Sequence, residues 1–243
     1  MSKRERKIGH LAGLALLALV SGGFLVGMLT LRSTPVYAHK VPSPCDFTTG
    51  GGWILIPSGT ASGSAALPES GAKANFGLVG GCKNGGFFGH VNYVDHNNGL
   101  HVSSTQILGY FCVQQVGTTR GSDGSLSPVC APNSRDICGT ARTDQIGGVF
   151  FRVRTVDAEQ QSSPPPKDKF GIKLMGMNSD GTPNGDVRYL VPTRCLANGL
   201  SACNAVPGGG DIELHKANPS TTGPSTPPNE VTACGGSGDD LGF

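Results

Sequence analysis

The chain has 243 residues, a formal net charge of +2, 38 glycines and 6% aromatic residues. Five of its 19 basic residues and one of its 17 acidic residues lie in residues 1–38, so the other 205 residues carry 14 basic and 16 acidic side chains. That balance excludes a nucleic-acid partner and a polybasic membrane contact, because both need a clustered cationic face.

The first 38 residues predict a cleavable secretion signal. The basic segment Lys3–Lys7 precedes an apolar run, Leu11–Leu31, that carries no charge. Arg32–Pro35 ends the run, and Val36-Tyr37-Ala38 places short residues where a signal peptidase reads them, which predicts cleavage before His39. The alternative is an uncleaved anchor, because a helix of about 20 apolar residues spans a bilayer. A membrane partner is expected only in that second case.

Eight cysteines follow the signal, and an even number in an exported chain predicts four disulfides. The absence of any Cys-x-x-Cys pair argues against a zinc ribbon or a thioredoxin-like site. We expect Cys195–Cys203 as a local bridge and Cys45–Cys234 as a clamp between the chain ends. The other four cysteines can pair in three ways, of which Cys112–Cys138 is preferred. These four are Cys82, Cys112, Cys130 and Cys138.

Nine short runs predict β-strands, because they are β-rich and turn-forming residues separate them. In one of them Phe151, Val153 and Thr155 alternate with Arg152, Arg154 and Val156, which predicts an antiparallel sheet with one buried and one wet face. Helix spacing is nearly absent after residue 38. The predicted strands are Trp53–Ile56, Ala74–Val79, Phe87–Val94, Leu100–Val113, Asp136–Thr143, Val149–Asp157, Lys169–Met175, Val187–Val191 and Asp211–Lys216.

Turn-forming residues predict where the chain reverses. Asn97-Asn98-Gly99 and Gly147-Gly148 tolerate positive φ and predict hairpins. Three other segments read as loops: Pro57–Gly71, Gln114–Arg135 and Ala158–Asp168.

The composition divides the chain into four parts. Residues 1–38 are the signal, residues 39–47 a linker and residues 48–217 the folded domain. Residues 218–243 have several prolines and few apolar side chains, which predicts a disordered tail.

Six blocks in a fixed order carry a family resemblance. They are GGGWI from Gly50, KANFGLVGG from Lys73, YVDHNNGLHV from Tyr93, CGTARTD from Cys138, DKFGIKL from Asp168 and GGGDIELHK from Gly208. Together they resemble the post-COAP family of secreted bacterial domains, over Thr48–Ala217.

The resemblance implies an all-β fold, an antiparallel β-sandwich, which with the strand pattern gives about 8 to 10 strands stapled by disulfides. It brings no established catalytic or binding residues. This chain departs from the family in a longer insertion at Ala158–Lys167 and in extra cysteines. The extra cysteines are Cys45, Cys195, Cys203 and Cys234.

His90, Asp95, His96 and His101 are the densest group of candidate metal ligands, since imidazole and carboxylate suit zinc. Strand alternation, however, puts His90 and His96 on one face and Asp95 on the other, and no fourth ligand stands beside them. The turn chemistry of Asp95 and the asparagines explains the block without metal. We therefore predict no metal and no cofactor.

Two further acidic groups are expected to be structural. Asn178–Gly181 and Asn184–Asp186 are oxygen-rich like a calcium loop, but they lack the EF-hand spacing and its closing Glu. Such clusters are typical of hairpin turns. Asp157 and Asp168, at the two ends of a loop, are likewise expected to stabilise the fold.

No Gly-x-Ser-x-Gly, His-Glu-x-x-His, P-loop or dinucleotide motif is present in the sequence. The sequence favours a non-catalytic module, secreted or at the cell surface, that binds an extracellular protein, a glycan or a wall component through its loops. The alternative is a secreted metal-dependent hydrolase that uses His90, Asp95, His96 and His101. Convergence of these four side chains in a concave site would distinguish the two.

Overall fold

The computed structural model describes residues 39–56, 62–63, 72–120, 126–158, 168–197, 203 and 209–242, without the side chains of residues 114–129 and 239. All described residues belong to one compact unit. The predicted signal lies outside them. Within the described part of the chain, no helix has the length and apolarity needed to cross a membrane.

Nine antiparallel strands form the described structure, one for each run that the sequence predicted. They are β1 (Phe47–Ile56), β2 (Ala72–Lys83), β3 (Gly86–Asp95), β4 (Leu100–Arg120), β5 (Leu126–Thr143), β6 (Gly148–Val156), β7 (Lys169–Met177), β8 (Pro183–Cys195) and β9 (Gly210–His215). β1 to β8 follow one another as neighbours in a meander, and β9 returns to pair with β1. The all-β antiparallel prediction is confirmed.

The strands form one curled sheet, which replaces the two facing sheets expected of a sandwich. Curling brings distant strands together around the core: the Phe76 ring of β2 stacks on Phe170 of β7 with 4.0 Å between ring centroids. The Tyr93 and Tyr189 hydroxyls meet at 2.7 Å. Register shifts between β4 and β5 are bulges, which increase twist and let a single sheet cover its own apolar face.

The predicted loop Gln114–Arg135 is wrong over most of its length. β4 continues to Arg120 and β5 begins at Leu126, so the two strands form a long hairpin. The residues predicted as a linker are also packed, since Lys40 forms a β-bridge with Cys112 and Cys45 is buried.

Both predicted hairpins are confirmed. Gly99 has φ 72° and its N–H donates to the Asp95 carbonyl at 2.9 Å, closing the β3–β4 turn. Gly147 has φ 76° and its carbonyl accepts from the Thr143 N–H at 3.0 Å, closing the β5–β6 turn.

The predicted disordered tail is wrong for residues 218–242. This segment contains helix α1 (Glu230–Cys234), capped by the Asn229 side chain, and a short 3-10 turn, Asp239–Leu241. Ala233, Cys234 and Leu241 are buried. The composition suggested disorder because the segment has few apolar residues and no periodic apolar face. A few specific contacts order it nevertheless.

Four disulfides join all eight cysteines. The predicted Cys195–Cys203 bridge is confirmed. The Cys45–Cys234 clamp and the Cys112–Cys138 bridge are wrong, because the curled sheet places Cys45 beside the end of β2 and Cys234 over β5. The pairs formed are Cys45–Cys82, Cys112–Cys130 and Cys138–Cys234. Four bridges are typical of an extracellular or otherwise oxidising compartment.

Candidate functional site

The outward side of β5–β7 is covered by residues 39–41 and 229–242, and we call it the closed face. Arg152 and Arg154 point into it and are 1% and 2% exposed, so the wet face expected from strand alternation is buried here. Arg154 donates from Nε to Asp136 Oδ1 at 2.8 Å, and Arg152 donates to Asp136 at 3.1 Å and to Glu230 at 2.5 Å. Two carboxylates therefore compensate two guanidinium groups beneath the C-terminal segment.

Burial raises the pKa of Asp136, but Arg154, His39 and Arg152 lower it by a larger amount through their charges and hydrogen bonds. The pKa of Asp136 therefore lies well below its usual range. Burial lowers the pKa of His39, yet its hydrogen bonds to Asp136 and Glu230 raise it to about 9. Burial raises the pKa of Glu230, while His39 and Arg152 lower it from 4.5 to about 2. The cluster is thus charged at neutral pH.

Because the pKa of Glu230 is lower in the folded chain, its contribution to stability is present above pH 4.5 and is lost as pH falls towards 2. Between pH 6 and pH 2 the free energy of unfolding should fall by about 2 kcal/mol less in Glu230→Gln than in the wild-type chain. This value is already reduced for solvent screening. Urea titrations at pH 2 to 6 measure this. An unchanged slope in the variant would contradict the assignment.

Asp157 and Asp168 hold the edge strand β9, in agreement with their predicted structural role. Asp168 accepts from the Ile212 N–H at 2.7 Å and the Ala158 N–H at 2.9 Å, and Asp157 accepts from the Leu214 N–H at 2.9 Å. Burial raises the pKa of Asp168 to about 6, although its two backbone hydrogen bonds oppose that shift.

The four candidate metal ligands do not converge. Asp95 is buried and accepts from the Tyr189 hydroxyl at 2.7 Å, while His90 Nδ1 lies 2.9 Å from the Ser104 hydroxyl. His96 Nε2 pairs with the Asn75 side-chain oxygen at 2.8 Å. No group of three or more His, Cys, Asp or Glu side chains in the described residues is arranged to hold a metal ion.

The oxygen-rich segment Asn178–Gly181 forms the turn between β7 and β8, as expected, whereas Asn184–Asp186 lies within β8. Asp180 Oδ1 accepts from the N–H and the hydroxyl of Thr182 at 2.9 and 2.6 Å. Asn184 Oδ1 accepts from the Asp186 N–H at 2.9 Å. These oxygens bind their own backbone, which is the usual use of Asn and Asp in hairpins.

We call the outward side of β1–β4, with the adjoining ends of β5 and β9, the open face; residues 218–222 border it at the β2–β3 turn, beside Phe47 and Phe88. Cross-strand register sets two parallel rows of residues on it. One row is Trp53, Asn75, Val94 and His101, and the next is Asp211, Gly51, Gly77, Asn92, Ser103 and Arg142.

A depression of about 650 Å³ opens on this face between β3, β4 and the end of β5. It is lined by six polar residues, Asn92, His101, Ser103, Arg142, Thr143 and Asp144, together with Tyr93, Val94 and Val102. The Asp144 carboxylate accepts from the His101 N–H at 2.9 Å and so fixes the rim of the depression. Amide, hydroxyl, imidazole, guanidinium and carboxylate groups together offer donors and acceptors at one place.

The sequence indicated His101 as a candidate site residue but not the other polar residues that line the depression. Arg142 and Asp144 lie more than 40 positions along the chain from Asn92 and join it only through the β4–β5 pairing. The CGTARTD block contained the signal, since its polar residues Arg142 and Asp144 stand at and just beyond the end of β5.

The open face has no large apolar centre. Val187 and Val231, the most exposed large hydrophobic side chains among the described residues, lie outside it, and its own apolar side chains, such as Phe47, Phe88 and Val94, are only partly exposed. Comparison of the chain with protein-family models, with curated proteins and with solved structures found no match.

Proposed function

We propose that this protein is a non-catalytic module, secreted or at the cell surface, that binds a glycan on its open face. The observation that carries the proposal is the depression that brings together Asn92, His101, Ser103, Arg142 and Asp144. Its side chains can donate to and accept from sugar hydroxyls on a rigid sheet. The predicted export signal and the proposed membership of the post-COAP family agree with an extracellular role.

Glycines extend the depression across the sheet. Gly51 and Gly77 pair in the row that leads to Asn92 and Ser103. A Cβ at Gly77 would meet nothing within 4 Å, and one at Gly51 would first meet the Phe76 carbonyl at 3.5 Å. The fold itself therefore leaves room for larger residues here, although glycine weakens a strand. Glycine in a strand is often found where a ligand approaches the backbone.

Aromatic and amide groups border this trough. Trp53, the chain's single tryptophan, and Asn75 stand side by side in the adjoining row. The Lys73 ammonium lies over the Trp53 ring at 4.8 Å from its centroid and holds the indole in place. An amphipathic ring beside hydrogen-bonding groups suits a sugar, which has apolar C–H faces and polar edges.

A protein partner fits this surface less well. Protein interfaces concentrate their energy in a desolvated centre of aromatic and apolar side chains. Apart from Val94, the lining residues that reach the surface of the depression are polar, since Tyr93 and Val102 are buried. A hydroxyl-rich ligand matches that set because each group then gains a partner.

Binding of the chain to arrayed neutral and acidic oligosaccharides tests the proposal. We expect Gly77→Val and Arg142→Ala to weaken glycan binding at least tenfold, or about 1.4 kcal/mol. Gly77→Val should leave the free energy of unfolding unchanged or raise it by up to about 1 kcal/mol, because valine favours strands. Loss of binding with retained stability separates a ligand site from a structural one.

Matched controls are available on the same sheet. Gly86→Val changes a glycine at the β2–β3 turn, where a Cβ would meet only the Lys83 carbonyl at 3.9 Å. Arg188→Ala removes a guanidinium from β8, three strands from β5. Both should keep wild-type binding. Capture of a protein that Gly77→Val abolishes, with no bound oligosaccharide, would replace the glycan with a protein partner.

A further inference from the structure

The backbone nitrogen of His39 faces a carboxylate on the closed face. It donates to Glu230 Oε2 at 2.9 Å, and the other oxygen of Glu230 lies 3.1 Å from His39 Nδ1. His39 is 8% exposed and the Glu230 side chain is 11% exposed. In the uncut chain, a single backbone N–H thus faces a largely buried carboxylate.

This nitrogen belongs to the residue that the sequence predicts as the first of the processed chain. Hydrolysis of the Ala38–His39 peptide bond by a signal peptidase consumes one water. It leaves a carboxylate on Ala38 and an amine on His39, and the amine takes up a proton at neutral pH. The nitrogen then carries a positive charge and three N–H groups in place of one.

We propose that Glu230 is the receptor for the α-ammonium group that cleavage creates at His39, so that processing itself completes the closed face. The inference rests on the predicted export signal and is independent of glycan binding. Two features point to it separately: the Val36-Tyr37-Ala38 pattern before His39, and the carboxylate aimed at the His39 nitrogen. Charge-assisted hydrogen bonds are about twice as strong as neutral ones.

The charges around the nitrogen can accept this change. Asp136 and Glu230 balance Arg152 and Arg154, and a separate pair, Lys173 with Asp240, closes at 2.6 Å. An ammonium beside the His39 imidazole makes imidazole protonation less favourable, but each of the two nitrogens has its own Glu230 oxygen within hydrogen-bond distance. The new charge therefore stands on the atom that can make the most hydrogen bonds to Glu230.

Residues 39 and 230 lie 191 positions apart, so the pair joins the two ends of the folded chain. The bond would hold the first residue and helix α1 together above Arg152, which donates to the same carboxylate. An extended or blocked N-terminus keeps the neutral N–H and lacks this ion pair.

Thermal unfolding at pH 7 tests the proposal. Three forms are compared: a chain beginning at His39, the same chain with Nα acetylated, and the same chain preceded by Gly-Ser. We expect the free-amine form to melt about 3 to 8 °C above the other two. Acetylation is the smaller change and keeps an N–H, so it separates loss of charge from added bulk.

Two variants assign the effect. Glu230→Gln should make the three melting temperatures equal, whereas Glu213→Gln, at an exposed carboxylate of β9, should preserve the difference. Mass spectrometry after brief treatment with an amine-acylating reagent should show slow modification of the His39 amine and fast modification in Glu230→Gln. Equal melting of the free and acetylated wild-type chains would overturn the proposal, as would N-terminal sequencing of exported protein that begins elsewhere.

Discussion

Replacing Asp136 with asparagine is expected to lower the free energy of unfolding by about 3 to 5 kcal/mol. Asp136 is fully buried and contacts both Arg152 and Arg154. Asparagine has nearly the same shape but no charge, so two buried guanidinium groups lose a shared counter-ion. The cost comes mainly from leaving those charges uncompensated, which is greater than the net worth of the original pairs.

Denaturant unfolding at pH 7 measures this loss. Asp186→Asn is the matched control, because Asp186 is exposed and lies 3.6 Å from Arg188. It should change stability by less than about 0.5 kcal/mol. A double-mutant cycle of Asp136→Asn with Arg154→Met should show strong coupling. A loss below about 1 kcal/mol for Asp136→Asn would mean that solvent reaches the cluster.

Removing the Cys138–Cys234 disulfide by replacing both cysteines with alanine is expected to cost about 4.7 kcal/mol by loop entropy alone. The bridge closes a loop with a sequence separation of 96, the longest of the four. It also ties helix α1 to β5 beside Arg152. The double variant should therefore expose the C-terminal segment to protease before the sheet unfolds.

The Cys195–Cys203 bridge provides the comparison, with a separation of 8 and an expected cost of about 2.5 kcal/mol when both cysteines become alanine. Limited proteolysis followed by mass spectrometry distinguishes the two variants. Cleavage within residues 218–242 is expected for the first only. Equal losses of stability would show that loop length does not govern these bridges.

The strands were predictable because their information is local. Alternation and turn residues such as Asn97-Asn98-Gly99 located all nine, although not their ends. The sequence did not predict that β4 continues past Val113 or that β5 begins at Leu126. This stretch is polar and contains Pro128 and Pro132. Whether strands close into one sheet or two depends on bulges and cross-sheet contacts, such as Phe76 with Phe170, that no local pattern encodes.

The closed face could not be predicted from alternation. Polar residues on alternate positions of β6 indicate a solvated side, and that reading holds unless another segment covers it. Here residues 229–242 cover Arg152 and Arg154 through Gly238, where a Cβ would stand 1.9 Å from the Arg152 guanidinium. Two arginines on one strand face were the available signal, since buried guanidinium groups require carboxylates.

The metal hypothesis failed to find support for a related reason. The four candidate ligands are close in sequence, but neighbouring residues of a strand point to opposite faces of the sheet. His90, His96 and Asp95 each have a different hydrogen-bond partner. The residues of the depression are instead brought together by pairing between strands. The register between distant strands, which pairs Ser103 with Arg142, therefore determines which residues form the site.

The position of β9 has a consequence for folding during export. β1 to β8 pair with their immediate successors and can zip as successive hairpins while the chain emerges, whereas β1 must wait for residues 210–215 before its second edge is paired. Until then a glycine-rich edge with unpaired N–H and C=O groups is open to strands of other molecules. We therefore expect chains truncated before Gly210 to aggregate through β1, even though eight of the nine strands are complete.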